Sequence, residues 1–515
     1  MNTNHSFFKI QSNNKSAVLI TALLMFLGLT VVAQPVKGTG GMVQGVKQNG
    51  ITVYKGIPFA APPVGDLRWK APQPVKPWKG VLKATKFSAS PYQSKPIPFA
   101  CWTEEFIAPP EPLSEDCLYL NIWTGAKSPK EKRPVLVWIY GGGFVSGSAA
   151  CSVYDGMEMA KRGIVVVSIN YRVGIFGFMA HPELSKESPN GVSGNYGIMD
   201  QIAALKWVRA NIAKFGGDIN NVAIAGQSAG SMSVSALVAS PLTKTLFQKA
   251  IAQSGGLLGS RFIADLKTAE KEGTQIQEKA KLTSIADLRK LSSDEVLKLT
   301  GRFSPNLDGY VLPKNIKEAF EKHEHQDVPV LTGWVTGDGA LFGNQLVKAS
   351  DFKKNVETQF GDKAAEFLQL FPAETDSQAT ASQQKWTLMG FAGAPSINWA
   401  KYNRAPVYVY EYTHVPAPLE NFPDYGAFHT SEVPFAFHNL HLWKRKWREV
   451  DYKVQEVVNQ SWVNFLTSYN PNGLLVKGWY PYNSNTAIVY ILNENPHPEN
   501  GLYKKEVEMV SGINN

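Results

Sequence analysis

Ile224-Ala225-Gly226-Gln227-Ser228-Ala229-Gly230 decides how this chain is read. The stretch follows a β-branched run and leads into Ser231-Met232-Ser233-Val234-Ser235-Ala236-Leu237, small residues from which a helix can start. Strand, sharp turn and helix in that order, with Gly-x-Ser-x-Gly at the turn, make a nucleophile elbow. A serine on so tight a turn takes strained backbone angles, and only small neighbours let the helix pack back against the strand. The turn lifts the Ser228 hydroxyl above the sheet edge, where the positive end of the helix favours developing negative charge. The competing reading is a serine that caps a helix in a structural turn. Flanking strand and helix favour the nucleophile.

Outward from the elbow, apolar runs bounded by Gly and Pro at residues 118–123, 135–140, 164–169 and 222–225 predict buried strands. Between the last two, Ile198, Ile202, Leu205, Val208 and Ile212 recur at helical steps, and Gly216-Gly217 stops the helix. Strand–helix–strand alternation predicts an α/β fold with a large, mostly parallel central sheet flanked by helices. Residues 38–81, rich in Gly, Pro and aromatics, predict short antiparallel strands. Residues 262–300 are charged and helical in pattern, and strands return at 328–332 and 407–412. The polar helices predict insertions over the active-site edge of the sheet. The final twenty residues predict a peripheral tail.

A serine hydroxyl is a poor nucleophile until a histidine takes its proton, and a carboxylate must orient that histidine. With a nucleophile elbow the chain order is serine, acid, histidine. His429, in Gly426-Ala427-Phe428-His429-Thr430-Ser431-Glu432, follows the strand at 407–412 and is the first choice, with His438 second. Asp338, in Gly337-Asp338-Gly339 beyond the strand at 328–332, is the expected acid. Asp308, in Asp308-Gly309, is its rival and more simply a turn residue. Tyr140-Gly141-Gly142-Gly143-Phe144 follows another strand, and its glycines let backbone N–H groups converge on one point. With the N–H of Ala229, those of Gly142 and Gly143 would bind the oxyanion of a tetrahedral intermediate, each donor worth roughly 3 kcal/mol of barrier. No Lys-Ser or Lys-Thr follows the glycines, which argues against a phosphate loop.

Together these stretches resemble the type-B carboxylesterase/lipase family, the cholinesterase-like branch of the α/β-hydrolases. Residues 56–69 (Gly-Ile-Pro-Phe-Ala-Ala-Pro-Pro-Val-Gly-Asp-Leu-Arg-Trp) resemble its N-terminal signature, and Glu115-Asp116-Cys117-Leu118-Tyr119-Leu120-Asn121 its second. The glycine loop, the elbow, residues 170–178 and residues 462–473 extend the likeness over about residues 36–495. The resemblance implies an α/β-hydrolase fold and a serine carboxylesterase working through an acyl-enzyme. Ser228 is then nucleophile, His429 general base and acid, and Asp338 the orienting acid. Asp338 stands where the family has Glu, Tyr140 where it has His, and Gln227 where it has Glu. Amidase or thioesterase chemistry by the same triad, or an inactive cholinesterase-like binding protein, are the alternatives. The resemblance implies no cofactor.

Lys9 and Lys15, the apolar run 17–32 and Val31-x-Ala33 read as a secretory signal cut before Gln34. Residues 1–33 are thus a signal peptide and 34–515 a single hydrolase domain, in periplasm or medium, with no stable membrane anchor after cleavage. Of three cysteines, Cys101 and Cys117 could close a loop, or remain thiols. A net charge of +9, two units of it from Lys9 and Lys15, is spread out and implies no nucleic-acid partner, leaving a small-molecule ester. Trp443-Lys444-Arg445-Lys446-Trp447-Arg448 reads as a solvated helical face with two packed tryptophans, and His323-Glu324-His325 as a surface charge run rather than a metal site.

Neutral Gln227 removes a carboxylate from beside the nucleophile, and a charge pair about 4 Å apart interacts by roughly 4 kcal/mol before desolvation. A choline ester and its uncharged carbon isostere should therefore give similar kcat/KM. A choline preference of a hundredfold, about 2.7 kcal/mol, would contradict this.

Overall fold

Apolar runs that cannot face water on either side build the middle of a 12-stranded sheet. The computed structural model describes residues 1, 31–259, 263–341, 345–420 and 422–513. The expected signal segment, up to residue 30, lies outside the described residues apart from Met1. In chain order the sheet strands are β1 (Val31–Val32), β2 (Val46–Gln48), β3 (Ile51–Pro58), β4 (Tyr119–Thr124), β5 (Arg133–Ile139) and β6 (Val165–Ile169). They continue with β7 (Gly217–Gln227), β8 (Lys249–Gln253), β9 (Val330–Val335), β10 (Val407–Tyr412), β11 (Ile488–Leu492) and β12 (His497–Asn500). Their spatial order is β1-β2-β3-β4-β6-β5-β7-β8-β9-β10-β11-β12. From β6 to β11 every neighbour pairs in parallel, while both margins are antiparallel. The sheet is therefore mixed, with a parallel centre. β1 pairs Val31 with Lys47 and Val32 with Val46, so a cut before Gln34 would remove this marginal pair together with buried Ala33 and its hydrogen bonds to Gly45 and Gln44.

The expected helix is α1 (Tyr196–Asn211), and the chain leaves it through Gly216, whose φ of 83° needs glycine. α2 (Ala229–Ala239) follows the elbow and is buried along its whole length. The polar region folds as helices Leu266–Lys279, Ile285–Lys290 and Ser293–Leu297. Later, α3 (Asp376–Leu388) runs through a π-helical turn, Met389–Gly393, into α4 (Ala394–Tyr402).

Several expectations need correction. β9 begins at Val330 and runs past 332 to Val335, so the acid loop starts three residues further along. β8 was not anticipated, because a lysine opens it. Lys249 is nonetheless buried, its Nζ donating to the Leu466 carbonyl (2.6 Å) at the end of α5 (Glu449–Ser468) and lying 3.6 Å from the Tyr469 ring centroid. The last residues are no loose tail, since β12 pairs with β11 and Val507 and Val510 of α6 (Lys504–Ile513) are buried. Residues 443–448 are not helical, although Trp443 and Trp447 do pack edge to face at 5.0 Å. His325 is not on the surface: it stacks on Phe320 at 4.0 Å and hydrogen-bonds Asn403.

Two buried ion pairs tie distant segments to the sheet. Arg68 Nε donates to Glu115 Oε2 at 2.8 Å, joining residues 56–69 to 115–121. Arg172, just beyond β6, donates to both Asp200 oxygens (2.8 and 2.7 Å) and to the Lys70 carbonyl, which holds α1 in place. Both partners are almost fully buried, so removing one charge strands the other. Asp200→Asn should therefore cost about 3–5 kcal/mol of stability, read from the urea midpoint; a loss near zero would mean that Arg172 finds water.

Candidate active site

The elbow is set by how closely α2 returns to the sheet. Ser228 sits at φ 60° and ψ −123°, a strained conformation costing roughly 1–3 kcal/mol. A Cβ on Gly230 would lie 2.1 Å from the Ile139 carbonyl oxygen, and one on Gly226 would lie 2.5 Å from the Gly230 carbonyl. No larger residue fits either place. The Ser228 N–H donates to the Gln253 carbonyl (2.9 Å) and its carbonyl accepts from Met232 N–H (2.9 Å), so the strained turn is held on both sides.

His429 follows β10 and Asp338 follows β9, and the fold brings them together: His429 Nδ1 to Asp338 Oδ1 is 2.6 Å. Asp338 is fully buried, and its other oxygen accepts from Val335 N–H at 3.2 Å. With Asp338 ionised, Nδ1 carries the proton and Nε2 is left as the acceptor. Aspartate reaches because the acid loop presses against the histidine loop. Gly337 N–H donates to the Ala427 carbonyl (2.9 Å), and a Cβ on Gly337 would lie 2.4 Å from that oxygen.

Gln227 Nε2 lies 3.0 Å from His429 Nε2 and 3.4 Å from Nδ1. An atom that near both nitrogens would collide with the ring if it lay in the ring plane, so the amide rests against a ring face. Phe391, from the π-helical turn, meets the imidazole edge to face at 5.6 Å. The ring is thus steadied by one polar and one apolar contact.

Gly142 and Gly143 have φ of 110° and 62°. A Cβ on Gly142 would strike the Ser146 carbonyl at 2.3 Å, whereas one on Gly143 would meet only the Val145 side chain, at 3.8 Å. Among the described residues, the N–H groups of Gly142, Gly143 and Ala229 make no hydrogen bond within the protein. Two devices hold the loop. Tyr140 and Tyr171 stack at 4.4 Å and exchange hydroxyl-to-carbonyl hydrogen bonds of 2.9 Å. Gln93 both donates to the Gly147 carbonyl (2.9 Å) and accepts from its N–H (2.8 Å).

Ser228, His429 and the glycine loop line one cavity of about 790 Å³, otherwise largely apolar, with Phe391, Phe303, Ile97 and Leu257 among its walls. Trp102 also lines it and turns its indole N–H to Thr430 (2.8 Å). The rival residues lie elsewhere. Asp308 accepts three backbone N–H groups, from Tyr310, Val311 and Leu312, as a turn residue does. His438 bonds Glu456 at 2.6 Å. Cys101, Cys117 and Cys151 are all free and buried. The pairing of Cys101 with Cys117 is not made: Cys117 packs beside Arg172 and Trp69, and Cys101 beside Arg445 and Pro416. No cluster of metal-ligating side chains occurs among the described residues.

Residues 32–510 match the carboxylesterase family. The chain belongs to that family. It is 38% identical over 455 residues to the fumonisin B1 esterase of Sphingopyxis macrogoltabida, covering 83% of this chain and 80% of that one. With the para-nitrobenzyl esterase of Bacillus subtilis it shares 34% over 486 residues, covering 89% and 95%. A solved para-nitrobenzyl esterase superposes with a TM-score of 0.80 at 31% identity, over 92% of this chain and 99% of that one. The fold is that of the α/β-hydrolases, and this carboxylesterase is a carboxylic ester hydrolase.

Sequence reasoning missed Phe391, Gln93, Tyr171 and Glu432. Phe391 and Gln93 lie outside any motif, and Tyr171 falls in the stretch 170–178, which carries the family likeness without pointing to a role for it. Glu432 lay in view three residues after His429. Burial pushes its carboxyl from an ordinary 4.5 up to about 8, the charge of Asp338 adding to this and the Tyr410 hydroxyl, 2.7 Å away, opposing it. Its carboxyl therefore favours the protonated form at neutral pH. Between about pH 4.5 and 8 the folded carboxylesterase keeps a proton that the unfolded chain has lost, so this site's contribution to stability falls as pH rises. The Tm of Glu432→Gln minus that of the wild type should climb across that window and level off above it. A flat difference from pH 5 to 9 would mean that Glu432 titrates normally.

Proposed function

We propose that this carboxylesterase hydrolyses small-molecule carboxylic esters through an acyl-enzyme on Ser228. The Ser228 oxygen attacks the ester carbonyl while His429 Nε2 takes its proton. The carbonyl π electrons move to oxygen, which the N–H groups of Gly142, Gly143 and Ala229 receive. Asp338 keeps Nδ1 protonated and offsets the imidazolium charge. On collapse the C–O bond breaks and His429 returns the proton to the leaving alcohol. Water then attacks the acyl group by the same relay in reverse, releasing the acid and restoring the serine. The reaction uses side chains and water only, so no cofactor is invoked.

The observation that carries this reading is the 2.6 Å contact between His429 and Asp338 beside a strained serine in the same cavity. It also explains why strain and close glycines are retained at the elbow: they aim the hydroxyl at the cavity and its carbonyl-binding N–H groups.

The reading includes export. The basic, then apolar segment ahead of Gln34 supports a secretory signal, giving a protein of periplasm or medium. No helix among the described residues is long and apolar enough to cross a membrane. An N-terminus at Gln34 in the mature protein, by mass spectrometry, is the expected result.

A relative named for para-nitrobenzyl esters makes such esters a suitable assay. Ser228→Ala should lose about 10⁴-fold or more in kcat while staying folded, and Asp338→Asn about 10²–10⁴-fold. Asp308→Asn should cost stability rather than kcat. Near-normal turnover by folded Ser228→Ala would remove Ser228 from the mechanism.

A further inference from the structure

The charges around the cavity are one-sided. Besides His429, its charged lining residues are Lys95 and Arg302, both exposed, and among the described residues no Asp or Glu lines it. Neither cation has an ion pair or hydrogen-bond partner among the described residues. Nearby acids are otherwise engaged or set back. Glu104, in the loop that supplies Trp102 and Phe106, pairs with Lys444 at 2.7 Å. Glu272 shares only a small neighbouring cavity with Arg302, and no ion pair joins them. Asp338 is fully buried behind His429. Gln227, beside the nucleophile, is neutral. Cavity floor and rim therefore carry the same sign, since the N–H groups of Gly142, Gly143 and Ala229 and the start of α2 also present positive dipole ends.

We infer that this site prefers esters bearing a free carboxylate on the alcohol or the acyl part, an apolar body lying against Phe391 and Phe303 while Lys95 and Arg302 receive the anion. The inference rests on the esterase reading above and names its substrate class. Two unpaired cations over a low-dielectric cavity raise the local concentration of an anionic ester, and they hold its far end while the carbonyl meets Ser228. An aromatic, apolar wall alone would select by size and not by charge. Guanidinium also offers paired donors to a carboxylate, which a neutral isostere cannot use.

The test compares kcat/KM for 4-carboxyphenyl butyrate and 4-carbamoylphenyl butyrate, equal in size and acyl group but differing in charge. The readout is the ratio of anionic to neutral ester, measured in the wild type, in Lys95→Gln and Arg302→Gln, and in the double variant. Intrinsic reactivity of the two esters cancels when ratios are compared between proteins. At low ionic strength the ratio should fall about tenfold in the double variant and by less in each single one, and in the wild type it should fall as salt is raised. Lys95→Glu with Arg302→Glu should push the ratio below that of the double glutamine variant. A fall of less than threefold in the double glutamine variant would overturn the proposal, and any larger fall supports it. Hydrolysis of the neutral ester by the wild type keeps the two readings apart. Failure on both esters would sink the esterase reading, whereas turnover of both with an unchanged ratio would sink only the charge preference.

Discussion

Everything at this site depends on one steric contact, the approach of α2 to β5 and β7. Gly230 lies so near the Ile139 carbonyl that a methyl group there would overlap it, and Gly226 lies equally near the Gly230 carbonyl. That closeness forces the turn into the φ of 60° found at Ser228. The same contact puts the N–H of Ala229 beside the glycine loop that leaves β5. Loosening it would relax the strain and misplace both the hydroxyl and an oxyanion donor, which is why small residues are needed on either side of the serine.

The remaining groups are supplied by the parallel order of the sheet. β5, β7, β9 and β10 point the same way, so the loops leaving them open on one edge. The glycine loop, the elbow, Asp338 and His429 come from those four strands in turn. Each is then fixed by a second layer: Tyr171 and Gln93 for the glycines, Val335 for Asp338, Gln227 and Phe391 for His429. Because the second layer draws on segments as far apart in the chain as Gln93 and Phe391, the geometry exists only when the whole sheet is formed. Buried pairs such as Arg172–Asp200 contribute there, holding α1 and the residue 70 region against the same sheet.

Electrostatics follow from the same burial. Asp338 sits buried behind His429, and the carboxyl of Glu432, three residues beyond that histidine, is pushed up to about 8 by desolvation, with Asp338 adding to the rise. Two ionised carboxylates behind one imidazole would hold its proton too firmly for transfer to a leaving alcohol. The front of the cavity has no carboxylate among its described lining residues and two free cations at its rim. Charge on the two sides of the histidine is therefore separated by the ring itself.

The sequence by itself determined what is local and periodic. Gly-x-Ser-x-Gly between a β-branched run and small residues named Ser228, three consecutive glycines after a strand marked the oxyanion loop, and helical spacing gave α1. These are legible because one turn or one face of an element sets the requirement. The motif frame also led to Asp338 and His429, but their contact was decided by tertiary structure, since Gly337 against Ala427 supplies the reach that aspartate lacks relative to glutamate. β8 was hidden because its buried Lys249 is satisfied by carbonyls at the end of α5, more than two hundred residues away. Cys101 and Cys117 show the converse: spacing allowed a bridge, and packing against different neighbours withheld it. Local pattern fixes which atoms can do chemistry. Their distances, and the charges beside them, come from long-range packing that no short window of sequence contains.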